Sequence, residues 1–161
     1  MLKSTDSIVE AIFDQDGSFR DFNFIAANIE QTMALVGWFE MHFSSVSCQS
    51  SLGPASNSST QLASLTKLKP TDYAQIICEG TSFFISHIQL FLCVLDSGLV
   101  DIEISFCPQD VNQETFELSA FITLMKTWQN LARANVGFLR YEDGSWEYGD
   151  SHSIIYISKL V

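Results

Sequence analysis

The chain has 161 residues, 47% hydrophobic and 17% charged, so its composition excludes a disordered chain and predicts a globular protein with a single domain over residues 1–161. Nineteen acidic residues against eight basic ones give a formal charge of −11, and no Lys or Arg lies between Lys69 and Lys126. Because such a chain repels phosphate backbones and anionic lipids, we expect no nucleic-acid and no membrane partner. A basic protein partner is the expectation, and maintenance of solubility is the alternative role for the charge.

The four cysteines, Cys48, Cys78, Cys93 and Cys107, include no CxxC pair, and three of them lie in apolar, strand-like segments. This pattern is typical of free, buried thiols in a reducing compartment. The first residues lack the apolar core of a secretory signal, and the longest fully apolar run, residues 90–95, is far too short to span a membrane. We therefore expect a cytoplasmic protein.

The first predicted elements are a short helix and a strand. Thr5 or Ser7 is suited to cap a helix that ends near Phe13. The segment that follows alternates polar and aromatic residues, and it places Phe22 and Phe24 on one face. This alternation predicts a strand with one buried side.

A long helix is predicted over residues 29–43. Asn28 is suited to cap its start, with Gln31 in the capping-box position. Apolar residues recur along it at helical spacing, which predicts a wide buried stripe. The members of the stripe are Ile29, Met33, Val36, Phe39 and Phe43, with Leu35, Trp38 and His42 beside them.

A serine-rich surface loop is predicted over about residues 44–69. Residues 44–64 contain nine serines, a composition that favours a surface excursion over a regular element. A short helical turn around Leu62 and Leu65 is the regular feature expected within it. The pattern leaves open whether this loop is functional or a tolerated insertion, and it favours the insertion.

Three strands are predicted next, over residues 73–80, 84–95 and 99–106. The last two form a hairpin, because residues 96–98 are a turn signal and residues 99–106 alternate cleanly, and the even-numbered residues of both strands are expected to face one core. The opposite face then carries Asp101 and Glu103, together with the apolar residues Phe91 and Leu95. A mixed surface of this kind is suited to contact with another chain, a second copy included.

A second long helix follows the acidic link at residues 109–114. Asn135 and Gly137 are its predicted stop signal. Its apolar stripe consists of Leu118, Phe121, Ile122, Met125, Trp128, Leu131 and Ala132. The remaining predicted strands cover residues 136–142, 146–150 and 153–161.

This order of elements predicts an α+β protein. The two amphipathic helices need a surface that covers their apolar sides, so we expect a two-layer sandwich with both helices on one face of a mainly antiparallel sheet of about five to six strands. A ferredoxin-like core with extra strands fits the same order and is the alternative.

No motif assigns a metal, a cofactor or a catalytic residue. The turns at Asp16-Gly17 and Asp143-Gly144 lack essential ligands in an EF-hand register, so both are predicted to reverse the chain. The three histidines are dispersed, and no Walker, GxGxxG or GxSxG pattern occurs. The sequence gives an enzyme no positive support.

The candidate interaction residues are acidic and aromatic. Aromatic rings supply contact area, and neighbouring carboxylates select a basic partner. The alternative for the rings near the C-terminus is that they close the sheet edge against the second helix. The candidates are Asp101, Glu103, Tyr141, Glu142, Asp143, Trp146, Glu147, Tyr148 and Asp150.

Two stretches, residues 12–24 and residues 138–150, resemble those of a group of small acidic bacterial proteins with no assigned activity. More loosely, the acidity, size and order of elements are similar to those of immunity proteins of bacterial polymorphic toxin systems. That resemblance implies a protein that binds and neutralises a toxin and is not an enzyme, and it transfers no functional residue.

Three hypotheses follow. The first is a non-enzymatic interaction protein, immunity-like, that engages a basic protein through an acidic and aromatic surface. The second is a small-molecule-binding or hydrolytic domain with a pocket between helices and sheet. The third is a homodimeric structural accessory protein that pairs through the free sheet face.

Overall fold

The computed structural model describes residues 3–54, 58–81, 83–142 and 153–161, with the backbone alone at 58–60 and 81. The helices are α1 (Thr5–Phe13), α2 (Ile29–His42), α3 (Ser58–Ser64) and α4 (Leu118–Ala132), and short 3-10 turns cover Leu65–Lys67 and Pro108–Asp110. The strands are β1 (Arg20–Ala26), β2 (Phe43–Ser50), β3 (Tyr73–Thr81), β4 (His87–Val94), β5 (Val100–Phe106), β6 (Val136–Tyr141) and β7 (Ile154–Lys159).

The strands form one antiparallel sheet in the order β2-β3-β4-β5-β1-β6-β7. The α+β class and the antiparallel sheet are thus confirmed. The predicted count of five to six strands is too low, because the described residues contain seven strands. Their four helices include two long ones, α2 and α4, and the shorter α1 and α3. The strand predicted over residues 146–150 lies outside the described residues.

Strand β2 occupies a segment predicted to be loop. It lies at the sheet edge and pairs with β3 alone, so one row of backbone hydrogen bonds holds it in place. Phe43 and Cys48 are its buried residues, and most of its serines are exposed. Pairing with a neighbour thus overrides a composition that by itself disfavours a strand. The helical turn predicted around Leu62 and Leu65 is present, as α3 and the 3-10 turn that follows it.

The hairpin of β4 and β5 has the predicted faces. Leu90 lies opposite Ile104, and Leu92 lies opposite Ile102. All four side chains are buried in the core. The even-numbered residues of both strands therefore face the helices, as the alternation predicts.

Three helix ends show how local sequence signals act. Asn28 caps α2 as predicted, since its Oδ1 accepts a hydrogen bond of 2.9 Å from the backbone N–H of Gln31. Helix α1 is capped by Ser4 and not by Thr5 or Ser7. Helix α4 ends at Arg133, whose φ of 54° lies in the left-handed region. The predicted stop at Gly137 is wrong, because that residue belongs to β6.

The long helices pack against the even-numbered face of β1 with large aromatic side chains. The ring of Trp128 on α4 lies 5.4 Å from the ring of Phe39 on α2 and 6.3 Å from that of Phe22 on β1. All three rings are fully buried. The space between these helices and the sheet, where the second hypothesis expects a pocket, is here filled with side chains.

Part of the ferredoxin-like topology, which was the alternative prediction, is present. Strands β5 and β6 both run antiparallel to β1, which lies between them, and α4 connects them. This unit is a split β-α-β. Strands β1 and β2, which α2 connects, are instead separated by three strands, where a ferredoxin-like core has one.

Candidate functional site

The sheet has an outer face, which carries the odd-numbered residues of β1, β3, β4 and β5 and the even-numbered residues of β6. Glu103 lies at the centre of one row of this face, with Phe91 opposite it on β4 and Asn23 opposite it on β1. The row continues to Gln75 on β3. Phe91 is 38% exposed, so it is an outward aromatic residue, as the alternation predicts.

A groove of about 440 Å³ runs over this part of the outer face. Two exposed or partly exposed aromatic rings and two half-buried carboxylates line it, a combination that suits a ligand with both apolar and cationic parts. Tyr73 is 60% exposed and is the most accessible of these rings. The principal lining residues are Asn23, Tyr73, Gln75, Phe91, Asp101 and Glu103.

Hydrogen bonds fix the position of the Glu103 carboxylate. The Asn23 amide nitrogen donates to Glu103 Oε2 at 3.1 Å. The Ser105 hydroxyl donates to Asp21 Oδ1 at 2.7 Å and lies 3.3 Å from Glu103 Oε1. Asn23, Asp21 and Ser105 are each less than 5% exposed. The carboxylate at the groove therefore rests on a buried polar layer.

One hydrogen-bond acceptor of that buried polar layer has no donor among the described residues. Asn23 Oδ1 is buried and has no hydrogen-bond partner among the described residues, although the amide nitrogen of the same side chain is bonded to Glu103. A buried acceptor without a donor costs about 1–3 kcal/mol. Asn23 is also one of the residues that line the groove.

The protonation of Asp21 is shifted by its surroundings. Burial raises the pKa of the Asp21 carboxyl from 3.8 to about 6, and the negative charges of Glu103 and Glu142 act in the same direction. The hydrogen bond from Ser105 and the charge of Arg140 oppose this rise. The carboxyl groups of Asp21, Glu103 and Glu142 therefore lie close enough to raise one another's cost of ionisation, with the charge of Arg140 acting against them.

Tyr141 does not join the groove. It lies opposite Arg20 in the sheet register, on the helix side, and the Arg20 guanidinium lies 4.4 Å from the centre of its ring. Glu142 is exposed, and its Oε2 accepts a hydrogen bond of 3.0 Å from the Phe19 backbone N–H. The predicted residues Asp101 and Glu103 thus come together, whereas Tyr141 is held elsewhere by a cation. The other predicted positions, Asp143, Trp146, Glu147, Tyr148 and Asp150, lie outside the described residues.

The turn at Asp16-Gly17 reverses the chain, as predicted. Gly17 has a φ of 85°, and the Asp16 carboxylate accepts hydrogen bonds from the backbone N–H and the hydroxyl of Ser18. These bonds, with the charge of Arg20, lower the pKa of Asp16. Asp16 therefore serves the turn and the anchoring of Arg20.

Sequence reasoning missed Asp21, Asn23 and Ser105 as parts of the site. The alternation of β1 does place Asp21 and Asn23 away from the core, but it says nothing about their neighbours. Their partners on β5 lie about eighty residues further along the chain. Only the pairing of β1 with β5 brings these groups together, and no local pattern carries that information.

Titratable groups elsewhere make local contacts. His42 Nδ1 lies 2.7 Å from the carbonyl oxygen of Trp38, and His87 Nδ1 lies 3.2 Å from Glu79 Oε1. Within the described parts of the chain, no three His, Cys, Asp or Glu side chains are arranged to hold a metal ion.

No protein-family model matches the chain, and no curated protein matches its sequence. The fold is similar to that of a chain in the crystal structure of the toxic C-terminal tip of CdiA from Pseudomonas aeruginosa in complex with its immune protein. The TM-score is 0.56 at 13% identity, over 89% of this chain and 97% of that chain. At this level of identity, the likeness shows a shared fold. Among the described residues, no helix is long and apolar enough to cross a membrane.

Proposed function

We propose that this protein is a non-enzymatic, immunity-like protein of the cytoplasm that binds a basic protein partner through the outer face of its sheet. The observation that carries the proposal is the groove, in which Asp101 and Glu103 lie beside the exposed rings of Tyr73 and Phe91. Aromatic rings next to carboxylates supply both contact area and selection for positive charge.

The charge of the outer face supports a basic partner. Outward positions on β3, β4 and β5 include the acidic residues Glu79, Asp101 and Glu103, and none of the described outward residues from β2 to β5 is Lys or Arg. Carboxylates on the same strands attract a cationic surface together, and His87 lies 3.2 Å from Glu79 among them.

The fold supports a protein-binding role, since the chain to which it is similar comes from a complex of a toxin with an immune protein. All four cysteines are free, and Cys48 and Cys78 are buried. Free thiols are typical of a reducing compartment, which supports the cytoplasmic location in the proposal.

The test is a measurement of the complex with its partner. The tagged chain is expressed in its native host, the partner is recovered by cross-linking, and the dissociation constant of the purified pair is measured over a range of salt concentrations. We expect the affinity to fall steeply as salt rises. An affinity that is indifferent to salt contradicts the proposal.

Charge reversal locates the contact. The double variant Asp101→Lys with Glu103→Lys should weaken the complex by at least about tenfold, because each reversed charge repels a basic surface. Glu30→Lys with Glu114→Lys makes the same change of net charge at exposed positions in α2 and in the link before α4, and should have an effect below about twofold. Equal losses in both double variants would argue against a contact on the outer face.

A homodimer that pairs through the outer face is the second candidate, because Phe91 and Tyr73 leave apolar surface exposed there. Two-fold pairing would bring Asp101 and Glu103 of both copies together. Repulsion between these carboxylates opposes a dimer. Light scattering separates the candidates, since a dimer has twice the 18.0 kDa mass of the chain.

A further inference from the structure

We propose that the groove on the outer face binds an arginine side chain of the partner, with the guanidinium between Glu103 and Asn23. This inference rests on the proposed function and names the group that the groove recognises. The two carboxylates of the groove, Asp101 and Glu103, supply the negative charge, and the Asn23 side chain supplies an acceptor that has no partner among the described residues.

The unused acceptor gives the site its specificity. Asn23 is 3% exposed, and its amide nitrogen is committed to Glu103 Oε2 at 3.1 Å. That bond orients the amide, and its Oδ1, which is buried and has no partner among the described residues, becomes available to a donor when the side chains around it move on binding. A ligand that places N–H groups on both Glu103 and Asn23 satisfies two neighbouring acceptors at once.

A guanidinium meets these requirements better than an ammonium does. Its five N–H donors lie in a rigid plane, so one group can donate to a carboxylate and to a neighbouring amide oxygen. The plane also stacks on aromatic rings, and Phe91 lies directly opposite Glu103 in the sheet register. A lysine ammonium is a compact, strongly hydrated charge and gains less from the ring.

The support beneath the groove is suited to holding a charge in place. The Asn23 amide nitrogen donates to Glu103 Oε2 at 3.1 Å, and this buried donor favours one position of the carboxylate before any ligand arrives. Glu103 Oε1 lies 3.3 Å from the Ser105 hydroxyl, whose hydrogen is donated to Asp21 Oδ1 at 2.7 Å. A preorganised acceptor loses less conformational entropy when the ligand binds.

The test uses short capped peptides and the intact protein. Acetyl-Gly-Arg-Gly-amide, its lysine counterpart and its citrulline counterpart are titrated into the ¹⁵N-labelled chain at low salt, and amide and side-chain NH₂ shifts are followed by NMR. Citrulline keeps the shape of arginine and removes its charge. We expect the arginine peptide to shift the Asn23 side-chain NH₂ signals and the backbone signals of Phe91 and Glu103. We expect the affinity for the citrulline peptide to be lower by at least about tenfold.

Protein variants provide a second measurement. Glu103→Gln should weaken binding of the arginine peptide by about tenfold, whereas Glu114→Gln, an exposed change in the link before α4, should leave it within about twofold. Circular dichroism checks that both variants are folded.

The inference would be overturned by chemical-shift changes that spread over both faces of the sheet. Equal binding of the arginine and citrulline peptides by the wild-type chain would also overturn it. The proposed function survives that outcome if the complex with the native partner is still salt-sensitive and still lost in the Asp101 and Glu103 double reversal. The proposed function fails if the affinity of that complex changes neither with salt nor with the charge reversal.

Discussion

The guanidinium of Arg20 lies 4.4 Å from the centre of the Tyr141 ring, and it joins the first turn of the chain to the end of β6. Arg20 is fully buried, and its nitrogens donate to the carbonyl oxygens of Ala11 at 2.6 Å and of Asp14 at 2.7 Å. A further bond of 3.2 Å reaches the Asp16 carboxylate. The first turn, its preceding helix and β6 thus share one cation.

Removing that cation should destabilise the fold. In Arg20→Ala the carbonyl oxygens of Ala11 and Asp14 lose their buried donors, so we expect the free energy of unfolding to fall by about 3 kcal/mol. Urea denaturation followed by circular dichroism measures the change. Lys126→Ala, at an exposed position of α4, is the matched control and should stay within about 0.5 kcal/mol of wild type. A similar stability of the two variants would mean that Arg20 does not anchor the turn.

The Asp21 carboxyl should make stability depend on pH. Its pKa is about 6 in the folded protein and 3.8 in the reference state, so the folded chain holds this proton more tightly than the unfolded chain does. The contribution is therefore fully present below about pH 4 and is lost as the pH rises through 6.

Comparison with Asp21→Asn isolates this contribution from the other acidic groups. Between pH 7.5 and pH 5 we expect wild type to gain about 1 kcal/mol relative to the variant. The measurement is a pair of urea titrations at each pH. Parallel pH profiles for the two proteins would show that Asp21 titrates normally.

Replacing either of two glycines by alanine should change the stability of the fold, and the two changes should have opposite signs. A Cβ at Gly137 would lie 2.5 Å from the Phe22 ring, in the buried layer where α4 covers the sheet. Gly137→Ala should therefore cost about 1–3 kcal/mol through overpacking. Gly37 lies inside α2 with nothing within 4 Å of the same position, so Gly37→Ala should stabilise by about 0.5–1 kcal/mol. Thermal unfolding of both variants tests the pair, and changes of the same sign would contradict it.

The rate at which each cysteine is alkylated should show which face of the sheet its side chain lies on. Burial raises the pKa of Cys48 to about 11 and that of Cys78 to about 12, whereas Cys93 lies exposed on the outer face. We expect iodoacetamide at pH 8 to modify Cys93 at least about a hundredfold faster than the two buried thiols. Peptide mass spectrometry after timed quenching gives the rates, and labelling in denaturant, where all four thiols should react, is the control. Rapid labelling of Cys78 in the native state would place β3 in the wrong register.

The hairpin of β4 and β5 could be predicted because apolar and polar residues alternate along β5 and a turn signal at residues 96–98 joins the two strands, and both are properties of the local sequence. The cap at Asn28 is local in the same way. Strand β2 could not be predicted, since its serines carry no strand signal and its hydrogen bonds come from β3. The stop of α4 was misjudged because Gly137 serves close packing against Phe22 and not the end of the helix.

The amino-acid sequence by itself determined the two apolar helix stripes, the alternating strands and the excess of carboxylates, because each depends on spacing or composition within a short segment. Only the tertiary structure decided that Asn23, Phe91 and Glu103 share one row of the sheet, and that Tyr141 lies under Arg20 on the opposite side. The physical reason is register: residues far apart in the chain become neighbours through backbone pairing, and no single segment encodes its partner.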